Sequence, residues 1–442
     1  MQMMCSALTG PEPHGTSAVG PMARGAIASP RPRVLFVCHS ASRNGATILL
    51  LELLRWLRTQ VDWEMDVLMY GTGPLLDSFR AVARTTVRRD PTVRLDALFG
   101  RSATGLRSFI APRMRAFALP RRRYDLVYCN TSATAADVAQ LAARNGALLW
   151  HIHELGHVLR LFLSNDGAPA ALQAATRFVA VSQAVKDVLC SEYRIEPRQV
   201  AVAHGFVAAD DLPMDEARQR RARLRAALDW PQDAFVVGAC GSLGWRKGTD
   251  LFVQIAHAMT QAPDGERTRF LWVGGHPAEE EALRFSHDID KLGLRDRCQL
   301  MHTTDHMADV YCAMDAFAIT SREDPFPLVM LEAAAHALPV VCFDDAGGAG
   351  SFIGEDAGLA APYLDTAAFA RQLGRLRDDA ALRLDLGSSG QRSVRTRYRV
   401  EVQGPLILDE MRACLRTARG RLPLPPPTAA PRFTPFKARR RE

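Results

Sequence analysis

The sequence contains no apolar run near the length that a membrane-spanning helix needs, which is about 18 residues. Its first thirty residues lack a charged start followed by an apolar block, so we expect no secretory signal. None of the nine cysteines belongs to a C-x-x-C pair, and several lie in apolar runs, as small buried residues in a reducing compartment do. These absences exclude a helical membrane span and favour a cytoplasmic protein.

The remaining composition is that of a folded protein with more than one core. Hydrophobic residues make up 48% and charged residues 23% of the chain, as is normal for soluble globular proteins. A length of 442 residues exceeds what one ordinary hydrophobic core supports, so we expect two domains. No internal repeat of about 20–50 residues is visible, which argues against a repeat architecture.

Two series of short apolar strands alternate with helical segments, which is the pattern of a parallel sheet covered on both faces. The first series has predicted strands at Arg33–Cys38, Met65–Tyr70, Leu126–Cys129, Ala147–His151 and Phe178–Val181. The second has predicted strands at Phe235–Cys240, Arg269–Val273, Cys298–His302, Ala316–Thr320, Pro339–Phe343 and Gly358–Ala360. We therefore predict an α/β protein of two doubly wound, Rossmann-like domains that face each other across a cleft, with ligands at the carboxyl ends of the strands.

Composition shifts divide the chain further. We predict a disordered leader at 1–30, an N-terminal domain at 31–208, a charged helical connector at 209–232 and a C-terminal domain at 233–398. A helix at 399–420 is expected to pack back on the N-terminal domain, and the Pro-rich basic tail at 421–442 is expected to be disordered. The arginine-rich segment Arg101–Arg123 could contact an anionic membrane or an acidic substrate, or form a solvated surface helix.

An acidic segment, SREDPFPLVMLEA, runs from Ser321 to Ala333 directly after a predicted buried strand. Two prolines turn the chain, and a helix is predicted to begin near Pro327. The free amides of Leu328 and Val329 at that helix start carry partial positive charge, which suits an anion such as a diphosphate.

Acidic side chains flank this predicted anion site and would repel the anion unless they bind hydroxyl groups. Glu332 follows the helix start in an apolar setting, where an acid usually needs a partner. We interpret Glu332 as an acceptor of hydrogen bonds from a ribose, and either Asp324 or Glu323 as facing a sugar. The alternative is a charged loop with Glu332 on a solvent-exposed helix face.

Two further loops follow predicted strands. Gly241–Asp250, GSLGWRKGTD, combines glycines with Arg246 and Lys247 at the start of a helix, and both cations could bind a diphosphate. An exposed basic turn is the alternative. His39–Ala46, HSASRNGA, is a short turn through Gly45 into a helix, which in many α/β proteins only reverses the chain.

Two metal motifs compete with this interpretation. His153-Glu154-Leu155-Gly156-His157 matches the H-E-x-x-H pattern of zinc proteases, which requires both histidines on one helix face. The segment follows a predicted strand, so we expect His153 in a turn and regard proteolysis as a remote alternative. Asp288-Ile289-Asp290 resembles a metal-binding D-x-D but lies in a predicted helix, which favours a solvated face.

Together, SREDPFPLVMLEA, GSLGWRKGTDLF, SRNGA and DVYCAMDAFAITSRE resemble the motifs of family 4 retaining glycosyltransferases of the GT-B fold. The resemblance implies sugar transfer from a UDP- or GDP-sugar with retention of configuration and without a cofactor or catalytic metal. It implies these site residues: Glu332 for the ribose, Asp324 for the donor sugar and phosphates, Lys247 for the diphosphate, Gly45 beside donor and acceptor, and His153 facing the donor sugar. The remaining loop residues of the donor site would be Ser242, Arg246, Glu323, Phe326, Pro327, Leu328 and Val329.

The chain departs from the family pattern at three positions. Asp324 stands where a glutamate is usual, with Glu323 beside it, so either acid could act. Pro327 replaces a glycine and removes one amide. Ser242 replaces a common arginine, a role that Arg246 could take over.

The expected function is therefore glycosyl transfer to a glycan or lipid-linked acceptor in cell-surface polysaccharide synthesis. A peripheral contact with the membrane surface could be made through Arg101–Arg123. No nucleic acid is expected as a partner. A catalytically degenerate sugar-nucleotide binder, or a scaffold recruited through the Pro-rich tail, is the alternative.

Overall fold

The computed structural model describes residues 31–88, 119–120, 122–164, 167–208, 212–354 and 356–420. In these residues the first domain has a seven-stranded parallel sheet with strand order β3-β2-β1-β4-β5-β6-β7. Its strands are β1 (Arg33–Cys38), β2 (Glu64–Met69), β3 (Arg84–Val87), β4 (Leu126–Asn130), β5 (Leu148–Ile152), β6 (Arg177–Ala180) and β7 (Val200–Val202). The central strands β4 and β5 are buried along their whole length, as expected for a sheet covered on both faces.

In the described residues the second domain has a six-stranded parallel sheet with order β10-β9-β8-β11-β12-β13. Its strands are β8 (Phe235–Cys240), β9 (Thr268–Val273), β10 (Cys298–Met301), β11 (Ala316–Ile319), β12 (Val340–Phe343) and β13 (Gly358–Ala361). In both sheets the first strand of the domain lies near the middle and the strand order reverses beside it. This confirms the predicted pair of doubly wound, Rossmann-like domains.

Helices cover both faces of each sheet. The first domain contains α1 (Gly45–Gln60), α2 (Leu76–Val82), α3 (Ala135–Asn145), α4 (Gly156–Phe162), α5 (Ala168–Ala174) and α6 (Gln183–Ser191), and α7 (Met214–Ala227) follows it. The second contains α8 (Thr249–Gln261), α9 (Glu280–Lys291), α10 (Met307–Ala313), α11 (Leu328–Ala335), α12 (Ala349–Ile353), α13 (Thr366–Asp378), α14 (Ala380–Arg397) and α15 (Val400–Gly420). None of these helices is long and apolar enough to span a membrane.

Two short edge strands were missed by the sequence analysis. β3 is four residues long and alternates between exposed and half-buried positions, and β7 is three residues long. β3, with the sequence RTTV, has no apolar run, and β7, with the sequence VAV, is apolar but too short to show a periodic pattern. The strands that the sequence analysis did predict all lie within one residue of the described bounds.

The last helix lies against the first domain. Ile407, Leu408, Met411 and Cys414 on α15 are buried in the same apolar cluster as Leu53 on α1 and its neighbours. Arg177 at the start of β6 forms an ion pair with Glu410 on this helix. The chain therefore returns to the first domain after completing the second. The leader 1–30, the tail 421–442 and most of the Arg101–Arg123 segment lie outside the described residues.

Helix α7, between the two sheets in sequence, is attached to the second domain by a buried arginine. Arg225 is 0% exposed and donates to Asp315 Oδ2 at 2.7 Å and to the carbonyl oxygens of Ala313, Gln232 and Ala234. Asp315 Oδ2 also accepts from Val236 N at 2.8 Å, which links the helix to β8. Each guanidinium nitrogen of Arg225 thus has an acceptor, and Arg225 shares Asp315 with Arg221, which donates to Asp315 Oδ1 at 2.8 Å.

We expect Arg225→Ala to lower the free energy of unfolding by about 3 kcal/mol, because the carbonyl oxygens of Ala313, Gln232 and Ala234 would lose their donor and Asp315 would keep only Arg221 as a charged partner. Urea denaturation of the two proteins measures this difference. Arg223→Ala, at an exposed position on the same helix, should change the free energy by less than about 0.5 kcal/mol. Equal losses in both variants would contradict the assignment.

Candidate active site

The loop after β8 is held against the end of β11 at one glycine. Gly248 has φ of +68°, and a Cβ atom there would lie 2.0 Å from Thr320 O. The Thr320 hydroxyl also donates to Lys247 O at 3.1 Å. Because a side chain at position 248 would collide with the main chain of Thr320, glycine is required for this close approach. The contact brings the Arg246–Lys247 loop beside the acidic segment.

Lys247 and Asp324 form an ion pair at this contact. Lys247 Nζ donates to Asp324 Oδ2, and Ser321 Oγ donates to the same oxygen at 3.4 Å. The side chains of Lys247 and Asp324 are only 16% and 8% exposed. Charges shielded from water in this way interact more strongly than charges at the surface, so the pair joins the two loops firmly.

The loop after β12 holds Asp324 from the opposite side. Asp324 N donates to Ala346 O at 2.8 Å, and Gly348 N donates to Asp324 O at 3.0 Å. Gly347 has φ of +131°, and a Cβ atom there would lie 1.9 Å from Asp324 O. The sequence analysis missed this loop, although two consecutive glycines after a buried strand are a recognisable signal of close backbone approach.

The two adjacent acids have different partners. The Glu323 carboxylate accepts from His157 N in the first domain, with distances of 2.9 and 3.1 Å from the nitrogen to its two oxygens. Arg246 Nη1 donates to the carbonyl oxygen of Glu323 at 3.0 Å. Asp324 is thus the acid beside Lys247, whereas Glu323 links the two domains.

The start of α11 faces the same region. Leu328 is its first residue and Pro327 is its N-cap, one position before the first turn. The helix has no side-chain cap and no acid in its first turn. The amides of Leu328 and Val329, with the positive end of the helix dipole, are therefore available to an anion.

Residues of this segment also contact the first domain. The Phe326 ring stacks on His204 with 4.8 Å between ring centroids. Leu328 approaches Gly45 and Gly205: Cβ atoms there would lie 3.5 and 2.6 Å from its methyl carbons. Gly45 is therefore placed opposite the helix start, at the N-terminus of α1.

Glu332 lies one turn into α11 and binds a tyrosine. The Tyr311 hydroxyl, on α10, donates to Glu332 Oε2 at 2.6 Å. Burial raises the pKa of Glu332, and the bond from Tyr311 and the nearby His336 partly oppose that rise. The sequence analysis did not single out Tyr311, although it lies in the DVYCAMD segment.

His153 lies in the turn after β5 and not within a helix. Asn130 donates through Nδ2 to Ala46 O at 3.0 Å, so its Oδ1 accepts a hydrogen bond from His153 Nε2, 2.9 Å away. Burial and the neighbouring His39 lower the pKa of His153 to about 3, so its imidazole is neutral near pH 7. Asn130, which the sequence analysis also missed, thereby sets the tautomer of His153.

The geometry of the H-E-x-x-H segment argues against a zinc protease. Helix α4 begins at Gly156, so His153 and His157 do not share a helix face. Glu154 accepts from Ser132 N at 2.9 Å and from His153 N at 3.1 Å, which commits its carboxylate to the main chain. Among the described residues, no group of three metal-binding side chains occurs.

Two other sequence features lie on the surface. Asp288 and Asp290 are exposed on α9, on either side of the buried Ile289, as expected for a solvated helix face. Ser242, at the position where the family commonly has an arginine, is exposed.

The chain matches two family models, one in each half. Residues 43–211 match the family described as Glycosyltransferase Family 4, and residues 234–379 match that described as Glycosyl transferases group 1. A D-inositol 3-phosphate glycosyltransferase of Saccharomonospora viridis is 31% identical over 314 residues, which cover 67% of this chain and 72% of the relative. The chain belongs to the family 4 glycosyltransferases.

Other relatives and solved structures differ in how much of their length aligns. The lipopolysaccharide core biosynthesis glycosyltransferase LpsD of Rhizobium meliloti is 33% identical over 174 residues, 39% of this chain and 48% of LpsD. The chain likewise spans about half the length of several other curated relatives it matches. The crystal structure of HepE from Anabaena in complex with UDP-glucose aligns with a TM-score of 0.69 at 21% identity, over 87% of this chain and 100% of HepE. At this identity the likeness shows the fold, which is GT-B.

We expect Gly347→Ala to lower the free energy of unfolding by about 1–3 kcal/mol, because the added Cβ would displace Asp324 from the loop after β12. Differential scanning calorimetry measures the change. Gly350→Ala is the matched control, because a Cβ at this nearby helical glycine would have no neighbour within 4 Å. A destabilisation of the control as large as that of Gly347→Ala would show that the close approach to Asp324 is not the cause.

Proposed function

We propose that this protein transfers a sugar from a nucleotide diphosphate-sugar, a UDP- or GDP-sugar, with retention of anomeric configuration and without a catalytic metal. The observation that carries the proposal is the convergence of Lys247, the uncapped start of α11 and Glu332 at the carboxyl edge of the second sheet. A cation and a helix N-terminus suit a diphosphate, and a carboxylate suits the hydroxyl groups of a ribose.

The diphosphate has three sources of positive potential. Lys247 is already paired with Asp324, so it can offer only part of its charge to a further anion. The amides of Leu328 and Val329 and the guanidinium of Arg246 supply the remainder in this proposal. Each charge-assisted hydrogen bond to phosphate is worth about 1.5–3 kcal/mol net, which is enough to hold the leaving group without a metal ion.

The remaining groups orient the two sugars. Asp324, fixed between Lys247 and the Gly347 loop, accepts from hydroxyls of the donor sugar in this proposal. His153 and the Gly45 loop approach donor and acceptor from the first domain. Because Glu323, Phe326 and Leu328 contact the first domain directly, closure of the two domains brings both sets of groups around one substrate.

Transfer then proceeds at the front face of the sugar. The acceptor hydroxyl oxygen forms a bond to the anomeric carbon on the side from which the diphosphate departs, and the bond from that carbon to the phosphate oxygen breaks. The hydroxyl proton passes to the departing phosphate oxygen. Lys247, Arg246 and the start of α11 stabilise the negative charge that develops there.

The proposed acceptor is a glycan or lipid-linked saccharide, and the proposed process is synthesis of cell-surface polysaccharide. The name of LpsD, a lipopolysaccharide core glycosyltransferase, supports this class of acceptor. A peripheral contact with an anionic membrane through Arg101–Arg123 stays a prediction, because most of that segment lies outside the described residues.

A degenerate sugar-nucleotide binder is the second candidate, and the exposed Ser242 in place of an arginine favours it. Incubation of the purified protein with a panel of UDP- and GDP-sugars separates the two functions. Slow hydrolysis of one donor, undiminished by EDTA, supports the transferase, and NMR of the released sugar or product should show the anomeric configuration of the donor. Binding of a donor without any turnover would support the degenerate binder.

We expect Lys247→Ala and Glu332→Ala each to reduce donor turnover by about 10²–10³-fold, because each removes a group that binds the leaving nucleotide. Steady-state kinetics with the donor found in the panel measure the loss. Lys291→Ala, at an exposed position on α9, is the control and should retain full activity. A rate near that of the unmodified protein for either site variant would refute its assigned role.

A further inference from the structure

Tyr311 is a buried residue whose only polar group points at the proposed nucleoside site. It lies on α10, is 2% exposed, and its hydroxyl donates a hydrogen bond to Glu332 Oε2 at 2.6 Å. Its ring packs against Phe317 on β11 and His336 at the end of α11, with centroids 6.0 and 5.1 Å away. The ring is thus held from two sides, and the position of its hydroxyl is determined by packing.

We propose that Tyr311 is a positioning residue that selects for the ribose hydroxyls of the donor nucleotide by holding Glu332 in one orientation. This inference rests on the proposed function, in which Glu332 binds the ribose. Tyr311 itself touches no substrate; it acts through the carboxylate.

The hydrogen bond from Tyr311 gives the two carboxylate oxygens of Glu332 different roles. Oε2 accepts from Tyr311, and among the described residues no hydrogen bond is made to Oε1. A carboxylate oxygen has two lone pairs, so Oε1, together with the second lone pair of Oε2, can accept from two neighbouring hydroxyl groups. Without Tyr311 the carboxylate could turn among several rotamers, and ordering it again would weaken ribose binding.

The protonation state of Glu332 also depends on the hydrogen bond from Tyr311. Burial raises the pKa of this carboxyl group, while the Tyr311 hydroxyl and then His336 lower it. Cys240 at the end of β8 also faces this group, and Lys247 lies near Cys240. Removal of the hydroxyl leaves the effect of burial less opposed, so Glu332 would take up a proton at a higher pH. Since a protonated carboxyl group accepts hydrogen bonds more weakly, preference for the ribose would then fade earlier as the pH falls.

Tyr311→Phe separates positioning from packing, because it keeps the ring and removes only the hydroxyl. Tyr124→Phe is a matched control: the Tyr124 hydroxyl, also in a buried residue, donates to the Asp66 carboxylate at 2.7 Å. Tyr124 precedes β4, at the amino edge of the first sheet and thus away from the carboxyl edges that form the cleft. Both variants lose one buried bond from a phenol to a carboxylate, so a general loss of stability would affect them alike.

The experiment compares the affinity of UDP and GDP with that of their 2′,3′-dideoxy forms by isothermal titration calorimetry, with pyrophosphate as a third probe. For the unmodified protein we expect the preferred ribonucleotide to bind at least about tenfold more tightly than its dideoxy form. In Tyr311→Phe the ratio of ribonucleotide to dideoxynucleotide affinity should fall to about one to three, and the affinity for pyrophosphate should be unchanged. The pH at which the remaining preference for the ribonucleotide is lost should rise. Tyr124→Phe should keep the full ratio.

Each other outcome has a distinct meaning. A full ratio in Tyr311→Phe, or an equal fall of the ratio in both variants, would overturn the positioning role while leaving the proposed function intact. Failure of both UDP and GDP to bind the unmodified protein would overturn the proposed nucleotide-sugar donor, and this inference with it.

Discussion

The candidate site depends on the close contact of three loops at the carboxyl edge of the second sheet. The loop after β8 meets the end of β11 at Gly248, and the loop after β12 meets Asp324 at Gly347. These contacts are made by main-chain atoms, which leaves no room for a side chain at either glycine. They place Lys247 against Asp324 and leave the start of α11 uncapped beside them. A cation, a carboxylate and a helix N-terminus are thus gathered within one small region.

The same edge provides the link to the first domain. Glu323, adjacent to Asp324, accepts from the main chain of His157, and Phe326 stacks on His204. Arg43, next to the Gly45 turn, forms an ion pair with Asp305 on the second domain. The residues that we assign to the donor are therefore interleaved with the residues that join the domains. A substrate that binds the donor-site residues would therefore also shift the residues that join the domains. Such coupling is the physical basis of closure in a two-domain enzyme.

Polar groups in the site are oriented mostly by other buried polar groups. Asn130 fixes the tautomer of His153, Tyr311 binds Glu332, and the main chain of Ser132 and His153 holds Glu154. Asn130 and Tyr311 lie more than twenty residues from the side chains that they orient. They reduce the number of orientations of each functional side chain before a substrate binds, and this lowers the entropic cost of binding.

The sequence by itself determined the two doubly wound domains, because buried parallel strands read as apolar runs at regular spacing. It also located the loops at Gly45, Lys247 and Asp324–Glu332, since glycine, proline and charge directly after such strands are visible locally. Only the tertiary structure decided that Asp324 pairs with Lys247 while Glu323 reaches His157, because neighbouring side chains in a turn point in different directions. Tyr311 and Asn130 were likewise beyond the sequence, because a hydrogen-bond partner more than twenty residues away leaves no local signal. The edge strands β3 and β7, of four and three residues, are too short to show a periodic pattern.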